Sequence, residues 1–191
     1  GTGVDIGGES VVEDSSGNYI VTSYTTSYGT GGDMILVKFN SSGVEQWSKT
    51  WGGTGYDRGY SVVEDSDGNY IVTGVTDSYG ADPGVTDDMF LVKFNSSGVE
   101  QWSKTWGGTQ NDKGWSVIED SGGDYMVAGE TNSYGAGSYD LFLVKFNSSG
   151  VEQWSKTWGG TSLDYGFRVI EDSGGNYLVA GETYSYGVGT R

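Results

Sequence analysis

The sequence contains no cysteine and no histidine, and Pro83 is the single proline among its 191 residues. The lack of cysteine excludes a disulfide framework and a thiolate metal site. Without both residue types, the Ser-His-Asp and Cys-His arrangements of nucleophilic enzymes cannot form, and zinc is disfavoured. Carboxylate pairs remain, but the Glu-Asp pairs recur along the whole chain and point to opposite faces of a strand. We therefore predict that the protein is not an enzyme.

Basic residues and long apolar runs are also scarce. Lysine and arginine number 10 against 26 acidic residues, which gives a formal net charge of −16. Such a surface repels nucleic acid and anionic membranes. The sequence also lacks the run of about 18 apolar residues that a transmembrane helix needs. We therefore expect neither nucleic-acid binding nor membrane insertion.

What the chain does have is repetition. The segment LVKFNSSGVEQWSKTWGGT occurs without change at Leu36–Thr54, Leu91–Thr109 and Leu143–Thr161. Its pattern predicts a β-hairpin, in which an apolar strand meets an Asn-Ser-Ser-Gly turn and a return strand ends at Gly-Gly. Asparagine at the first turn position bonds its own backbone, and glycine at the fourth position accepts a positive φ.

A second segment, SVVEDSSGNYIVTS at Ser10–Ser23, returns three more times with small changes, so the chain divides into four units. The units span about residues 1–54, 55–109, 110–161 and 162–191. In the second unit we predict strands near Ser61–Asp65, Tyr70–Thr76, Met89–Phe94 and Val99–Trp106. No helical period is present. The fold class is therefore all-β, a β-propeller of four-stranded antiparallel blades with three full repeats and half a fourth.

The repeated motifs carry a family resemblance. The patterns D-x-x-G-N-Y-x-V-x-G, D-x-F-L-V-K-F and W-x-x-x-W-G-G resemble the SBBP-type β-propeller repeat of bacterial and archaeal proteins. The arrangement is also similar to kelch repeats in its glycines and its late tryptophan. The resemblance implies a propeller of about six to eight blades in one chain. It also implies an extracellular or cell-surface location.

The fourth unit is predicted to contain only its first two strands. The second of these, Tyr177–Thr183, then lacks a partner on one side, and we expect an open edge at Tyr177, Val179, Gly181 and Thr183. Exposed strand edges pair with other chains. The propeller is therefore expected to be incomplete, as a piece of a longer parent chain, or completed by another copy, with self-association into a fibre or a ring.

The loops sort onto two faces, because alternate connections of an antiparallel meander share a face. The tight turns lie on one face, and the variable loops lie opposite (Thr30–Gly32, Ala81–Asp87 and Ala136–Tyr139). The second variable loop is the most distinctive, so Tyr79, Asp82, Asp87 and Asp88 are candidate ligand-binding residues. The alternative is that the Ser-Tyr-Gly tyrosines, present in all four units, only pack the base of each loop.

We predict no cofactor and no bound metal. The candidates for Ca²⁺ are Asp57, Asp112 and Asp164, each two residues before a glycine in the links between blades. Ca²⁺ requires about six or more oxygen ligands, so backbone capping is the favoured role and Ca²⁺ remains an alternative.

The Asn-Ser-Ser turns predict N-glycosylation at Asn40, Asn95 and Asn147, provided that the protein is secreted from a host with that machinery. The alternative is that asparagine and serine are simply good turn residues.

Two functions remain open on this reading. The first is a non-enzymatic structural or assembly protein of the cell surface, in which the blades build a rigid element. The second is a glycan- or protein-binding propeller module that works through the variable-loop face.

Overall fold

The computed structural model of the protein describes residues 3–187, and every regular element in that range is a β-strand. Residues 1–2 and 188–191, the outer ends of the first and last predicted units, lie outside the described residues. The described part of the chain offers no helix that is long and apolar enough to cross a membrane.

The first blade contains β1 (Asp5–Glu13), β2 (Tyr19–Thr25), β3 (Asp33–Phe39) and β4 (Glu45–Trp51). The second contains β5 (Asp57–Glu64), β6 (Tyr70–Thr76), β7 (Asp88–Phe94) and β8 (Glu100–Trp106). The third contains β9 (Asp112–Glu119), β10 (Tyr125–Thr131), β11 (Asp140–Phe146) and β12 (Glu152–Trp158). The last sheet contains β13 (Asp164–Glu171) and β14 (Tyr177–Thr183).

Each sheet is an antiparallel meander in chain order, with three four-stranded sheets and one of two strands. The first strands of the sheets, β1, β5, β9 and β13, contact one another in sequence, so they lie nearest the common axis. The predicted fold class is confirmed: the chain is all-β, and its sheets are the blades of an incomplete β-propeller.

The first strand of the second blade begins earlier than the predicted strand near Ser61–Asp65. Strand β5 begins at Asp57 rather than Ser61, and its register shifts between Gly59 and Ser61. The reason is close packing, because a Cβ on Gly59 would lie 2.9 Å from Met34 Cγ of the preceding blade. The sequence pattern placed Gly59 outside the strand. In the structure, this glycine allows β5 to pass close to the neighbouring blade.

The predicted hairpin turns are present. The Oδ1 atom of Asn40 accepts hydrogen bonds from the backbone of Ser42 at 3.0 Å and of Val44 at 2.9 Å. Gly43 has a φ of 76°, the left-handed conformation expected at the fourth turn position. The turns at Asn95 and Asn147 repeat the same two bonds.

The core lies between blades rather than within one. Every residue of β6 and β7 is buried, because both faces of these strands pack against neighbouring blades. Met34 and Leu36 of the first blade share a cluster with Val72 and Phe90 of the second. A second cluster joins the second and third blades in the same way. Stability therefore depends on the seams between blades.

A polar contact crosses each seam. Tyr70 donates its hydroxyl to Asp14 Oδ2 at 2.9 Å, and Lys38 Nζ lies 2.8 Å from the same oxygen. We refer to this trio as the carboxylate clasp. The clasp recurs at Asp65, Lys93 and Tyr125, and at Asp120, Lys145 and Tyr177. Burial raises the pKa of Asp120, but hydrogen bonds from Lys145 and Tyr177 outweigh it and lower the pKa to about 2.

Candidate functional site

The face of the β13–β14 sheet is the first candidate surface. Among the described residues, β14 pairs with β13 and with no further strand. The predicted edge residues Tyr177, Val179, Gly181 and Thr183 are half-buried or exposed, whereas their counterparts in β6 and β10 are all buried. Leu178 is 50% exposed, while Met126, at the same position of β10, is 0% exposed.

The environment of Trp158 differs from that of the equivalent tryptophans in the complete seams. In the complete seams Trp51 contacts Phe90 and Trp106 contacts Phe142, each with ring centroids 4.5 Å apart. The phenylalanine comes from the third strand of the following blade. Among residues 3–187, Tyr186 is the one aromatic ring in contact with Trp158, which is 52% exposed, against 8% for Trp51 and 9% for Trp106. A cavity of about 430 Å³ opens here, next to Trp158 and Val179.

The variable loops lie beside the links between blades, as expected from the topology. Gly32 forms a parallel bridge with Tyr56, and the backbone of Asp112 donates to the Asp87 carbonyl at 2.7 Å. Tyr79 donates its hydroxyl to the Gly52 carbonyl at 2.8 Å. Tyr134 and Tyr186 make the same bond to the preceding blade, so each of these tyrosines fastens the base of its loop.

The four candidate ligand-binding residues do not converge on one point. Tyr79 and Asp82 are exposed, and the Asp82 carbonyl closes the turn of the loop by accepting from Val85. The backbone N–H of Asp87 donates to Asn111 Oδ1 at 3.0 Å. Asp88 is buried in the seam. Burial raises the pKa of Asp88 to about 6, helped by the nearby carboxylate of Asp112 and opposed by a hydrogen bond from the backbone of Ala81.

The aspartates of the links act on the backbone. Asp57 Oδ2 accepts from the Gly53 N–H at 2.9 Å and from Ser78 Oγ at 2.6 Å. Asp112 and Asp164 accept the equivalent backbone bonds. A second buried aspartate faces each of them, and a methyl group added to Gly52 would touch both Asp33 and Asp57. Within residues 3–187, no three acidic side chains come together as a metal site would require.

The three sequon asparagines, Asn40, Asn95 and Asn147, are half-buried in their turns. The second turn rests on the preceding blade, because a Cβ on Gly98 would lie 3.1 Å from the Trp47 ring. The serines beside Asn95 are exposed. The structure thus positions these turns at the outer part of each seam.

A second surface emerges when equivalent positions of the blades are compared. Outside the variable loops, the blades differ around the axis, where Glu9, Tyr60, Trp115 and Phe167 occupy one position of the innermost strand. We define the axial rim as the connected set of such variable side chains on the variable-loop face: Glu9, Tyr24, Tyr56, Arg58, Tyr60, Asn111, Lys113, Trp115, Glu130, Tyr139, Tyr165 and Phe167. The sequence interpretation missed this set because it was based on the residues that the blades share and not on the positions where they differ.

One half of the axial rim is built around Arg58. Its guanidinium pairs with Glu9, donates to the Tyr56 hydroxyl at 3.1 Å and lies 5.6 Å from the centroid of the Tyr60 ring. The Tyr60 ring stacks on Trp115 with centroids 4.4 Å apart and planes inclined by 23°. Burial raises the pKa of Tyr60, so the phenol stays neutral at physiological pH.

The other half of the axial rim continues from Trp115. The indole N–H donates to Glu130 at 3.0 Å, and Lys113 lies 3.4 Å from the same carboxylate. Lys113 also lies over the ring of Tyr139, with 5.8 Å between its ammonium and the centroid. The ring contacts then pass through Tyr165 to Phe167, whose side chain is exposed.

The axial rim borders a concave channel of about 350 Å³ around the axis. All four innermost strands line the channel, and Glu9, Tyr60, Trp115 and Phe167 belong to both the channel and the rim. Aromatic rings, two cations and two carboxylates therefore meet at one mouth of the channel. This surface therefore combines a cavity with hydrogen-bonding side chains that vary between the blades.

Comparisons with known proteins agree with the fold. A family profile described as "Domain of unknown function (DUF5122) beta-propeller" matches residues 123–151, which run from the turn before β10 to the turn after β11. A protein of unknown function from Bacteroides caccae, known from a crystal structure, is similar with a TM-score of 0.51 and 14% identity. The similarity covers 91% of this chain and 52% of that one.

A curated relative is the regulatory protein FlaEY of Caulobacter vibrioides, which is 27% identical over 139 residues. The match covers 63% of this chain and 15% of the relative. The chain thus spans a small part of that relative and about half of the solved structure. The repeats, the four-stranded sheets and these similarities together show that the protein is an array of β-propeller blades.

Proposed function

We propose that the protein is a non-enzymatic structural and assembly module of the extracellular space or the cell surface, whose open blade is completed by a further β-hairpin. The observation that carries the proposal is the exposure of β14, whose counterparts in the complete blades are wholly buried. The location rests on the resemblance to SBBP-type and kelch-like repeats.

The occupant of the open edge is a hairpin of the repeat type. Strand β14 reads YLVAGET and β10 reads YMVAGET, so they differ at one residue. Strand β10 is paired along its whole length with β11, from Tyr125 opposite Phe146 to Thr131 opposite Asp140. The hairpin of residues 140–158 therefore already fits an almost identical strand. That hairpin carries four large aromatic side chains, Phe142, Phe146, Trp154 and Trp158. Burying one large aromatic side chain is worth about 2–3 kcal/mol.

A synthetic hairpin tests the proposal. We expect a peptide with the sequence of residues 140–158 to bind the protein and to shift the fluorescence of the exposed Trp158. The same peptide with Val144→Pro is the matched control, because proline removes a donor and prevents strand pairing. Equal binding of the two peptides, with the same fluorescence change, would contradict blade completion.

The molecular mass of the protein in solution, measured with and without the peptide, identifies the source of the natural hairpin. Association of the protein alone at micromolar concentration, suppressed by the hairpin peptide, indicates that a second copy supplies the hairpin. Peptide binding by a protein that stays monomeric indicates a further segment of a parent chain. A monomer that ignores the peptide refutes the proposal.

Glycosylation of Asn40, Asn95 and Asn147 is part of the same proposal if the natural host glycosylates secreted proteins. The sequons lie in half-buried turns whose neighbouring serines include exposed residues. Intact-mass analysis of native material is the test, and three unmodified asparagines would remove this element of the proposal.

The second candidate is a glycan- or protein-binding module that acts through the variable-loop face. The observation that favours it is the axial rim, where the otherwise repetitive blades differ and where aromatic and charged side chains border a channel. Propeller folds host many functions, so this candidate function is supported by the residues of the axial rim and not by the fold alone.

A further inference from the structure

The differences between the blades are concentrated rather than scattered. Strands β4, β8 and β12 all read EQWSKTW, although most of their residues are exposed or half-buried. Exposed positions tolerate substitution, so sequence drift would have changed these outer strands first. The axial rim differs between the blades instead, most clearly at the position of Glu9, Tyr60, Trp115 and Phe167. The variation therefore follows the position around the axis and not the exposure to solvent.

The chemistry of the axial rim combines ring faces with hydrogen-bonding pairs. Tyr60, Trp115 and Phe167 present aromatic carbon, while Arg58 with Glu9 and Lys113 with Glu130 offer donors and acceptors beside the rings. The cations and carboxylates pair with one another, so the rim itself is close to neutral. A site with aromatic walls and a few placed polar groups is typical of small-ligand recognition.

The size and charge of the site narrow the ligand class. The channel of about 350 Å³ is at the small end of ligand pockets, which span about 300–1,000 Å³. The formal net charge of −16 disfavours phosphate- or carboxylate-bearing ligands. A neutral sugar ring has an apolar C–H face for an aromatic ring and hydroxyl groups for a guanidinium or carboxylate.

We propose that the axial rim and its channel bind a neutral oligosaccharide, with Trp115 and Phe167 as the stacking surfaces and the Arg58–Glu9 and Lys113–Glu130 pairs as the hydroxyl partners. This inference rests on the second candidate function and names its site and ligand class. Its ligand contacts lie around the axis, so the variable loop at Ala81–Asp87 contributes at most at the periphery. Blade completion at β14 is independent of it.

A glycan array carrying neutral and acidic glycans is the test, followed by titration of the strongest neutral glycan. We expect binding to neutral glycans, weakened about tenfold or more by Phe167→Ala and by Trp115→Ala. The Phe167 side chain is exposed, so its removal should leave the fold intact. Trp158→Ala is the matched control, because it removes an exposed tryptophan that does not line the axial channel and should leave glycan affinity unchanged.

Three outcomes would overturn the inference. They are silence of the neutral glycans, binding confined to acidic glycans, and binding that survives both Phe167→Ala and Trp115→Ala. A protein partner captured by the rim without any glycan binding would also refute it in favour of a protein interface. The hairpin-peptide experiment reads the β14 edge alone, so failure at the rim and failure of blade completion are distinguishable.

Discussion

A single hydroxyl group joins two blades at Tyr125, whose side chain is buried and completes the carboxylate clasp with Asp65 and Lys93. We expect Tyr125→Phe to lower the free energy of unfolding by about 1–3 kcal/mol, because the buried carboxylate loses a donor. Tyr19 occupies the same position in the first blade and is exposed. Tyr19→Phe is therefore the control and should change stability by less than about 0.5 kcal/mol. Urea denaturation measures both, and equal losses would contradict a role for the clasp.

The buried carboxyl group of Asp88 predicts that the stability of the protein decreases as the pH rises. Burial raises its pKa from an ordinary 3.8 to about 6, so the folded protein holds this proton more tightly than the unfolded chain. Its contribution to stability is then complete below about pH 4 and is lost as the pH rises through about 6. We expect Asp88→Asn to stabilise the protein at about pH 8, by on the order of 1–2 kcal/mol, and to give no gain at about pH 4.

The control for this prediction is Asp82→Asn in the same loop, because Asp82 is exposed. Thermal melting of both variants across this pH range provides the measurement. A gain for Asp88→Asn that is the same at both pH values would contradict the prediction, since a pH-independent gain does not arise from the carboxylate charge.

At the level of the strand, the burial of a side chain determines how much its substitution lowers the free energy of unfolding. Met126 in β10 and Leu178 in β14 occupy equivalent positions, but only Met126 is buried. We expect Met126→Ala to cost about 2–5 kcal/mol, as for other buried side chains reduced to alanine. Leu178→Ala should cost less than about 1 kcal/mol, because half of the side chain already contacts water. Urea denaturation of the two variants is the measurement, and a similar cost at both positions would contradict the exposed face of the β13–β14 sheet.

The strands also show what sequence alone can predict. Hairpins such as β3–β4 were predictable because the Asn-Ser-Ser-Gly turn and the apolar strand are local signals. The start of β5 was not predictable, because the role of Gly59 depends on its close contact with the preceding blade and not on the sequence around it. The axial rim was missed for a related reason. Its residues, such as Tyr60 and Trp115, come from different blades, and only the packing around the axis brings them together.

The buried aspartates were also only partly predictable. The sequence indicated that Asp57 caps the backbone, which the bond from Gly53 supports. It did not indicate that Asp33 faces Asp57 across the seam, because no local pattern reports a pairing between the start of a third strand and the next blade. The raised pKa values of Asp33, Asp88 and Asp140, which arise from burial and then from the facing carboxylate, follow from that geometry.

For the whole molecule, stacking of blades implies that stability is unevenly distributed. The second and third blades meet neighbours on both faces, whereas the β13–β14 sheet has one covered face. In repeat proteins, stability is approximately the sum of unit and interface terms, so a unit with one interface opens more easily. The carboxylate clasps and the shared clusters at each seam are the physical form of those interface terms.

Hydrogen exchange of the whole chain tests this distribution. In dilute solution we expect the slowest exchange in β6, β7, β10 and β11, whose strands are paired on both sides. The fastest strand exchange should occur in β14, because every second amide of an unpaired edge points to solvent. Addition of the peptide of residues 140–158 should slow those amides of β14 and leave the rates in β6 unchanged. Strong protection of β14 in a monomer without the peptide would contradict both the open edge and the proposed assembly, because protection requires a partner for each amide.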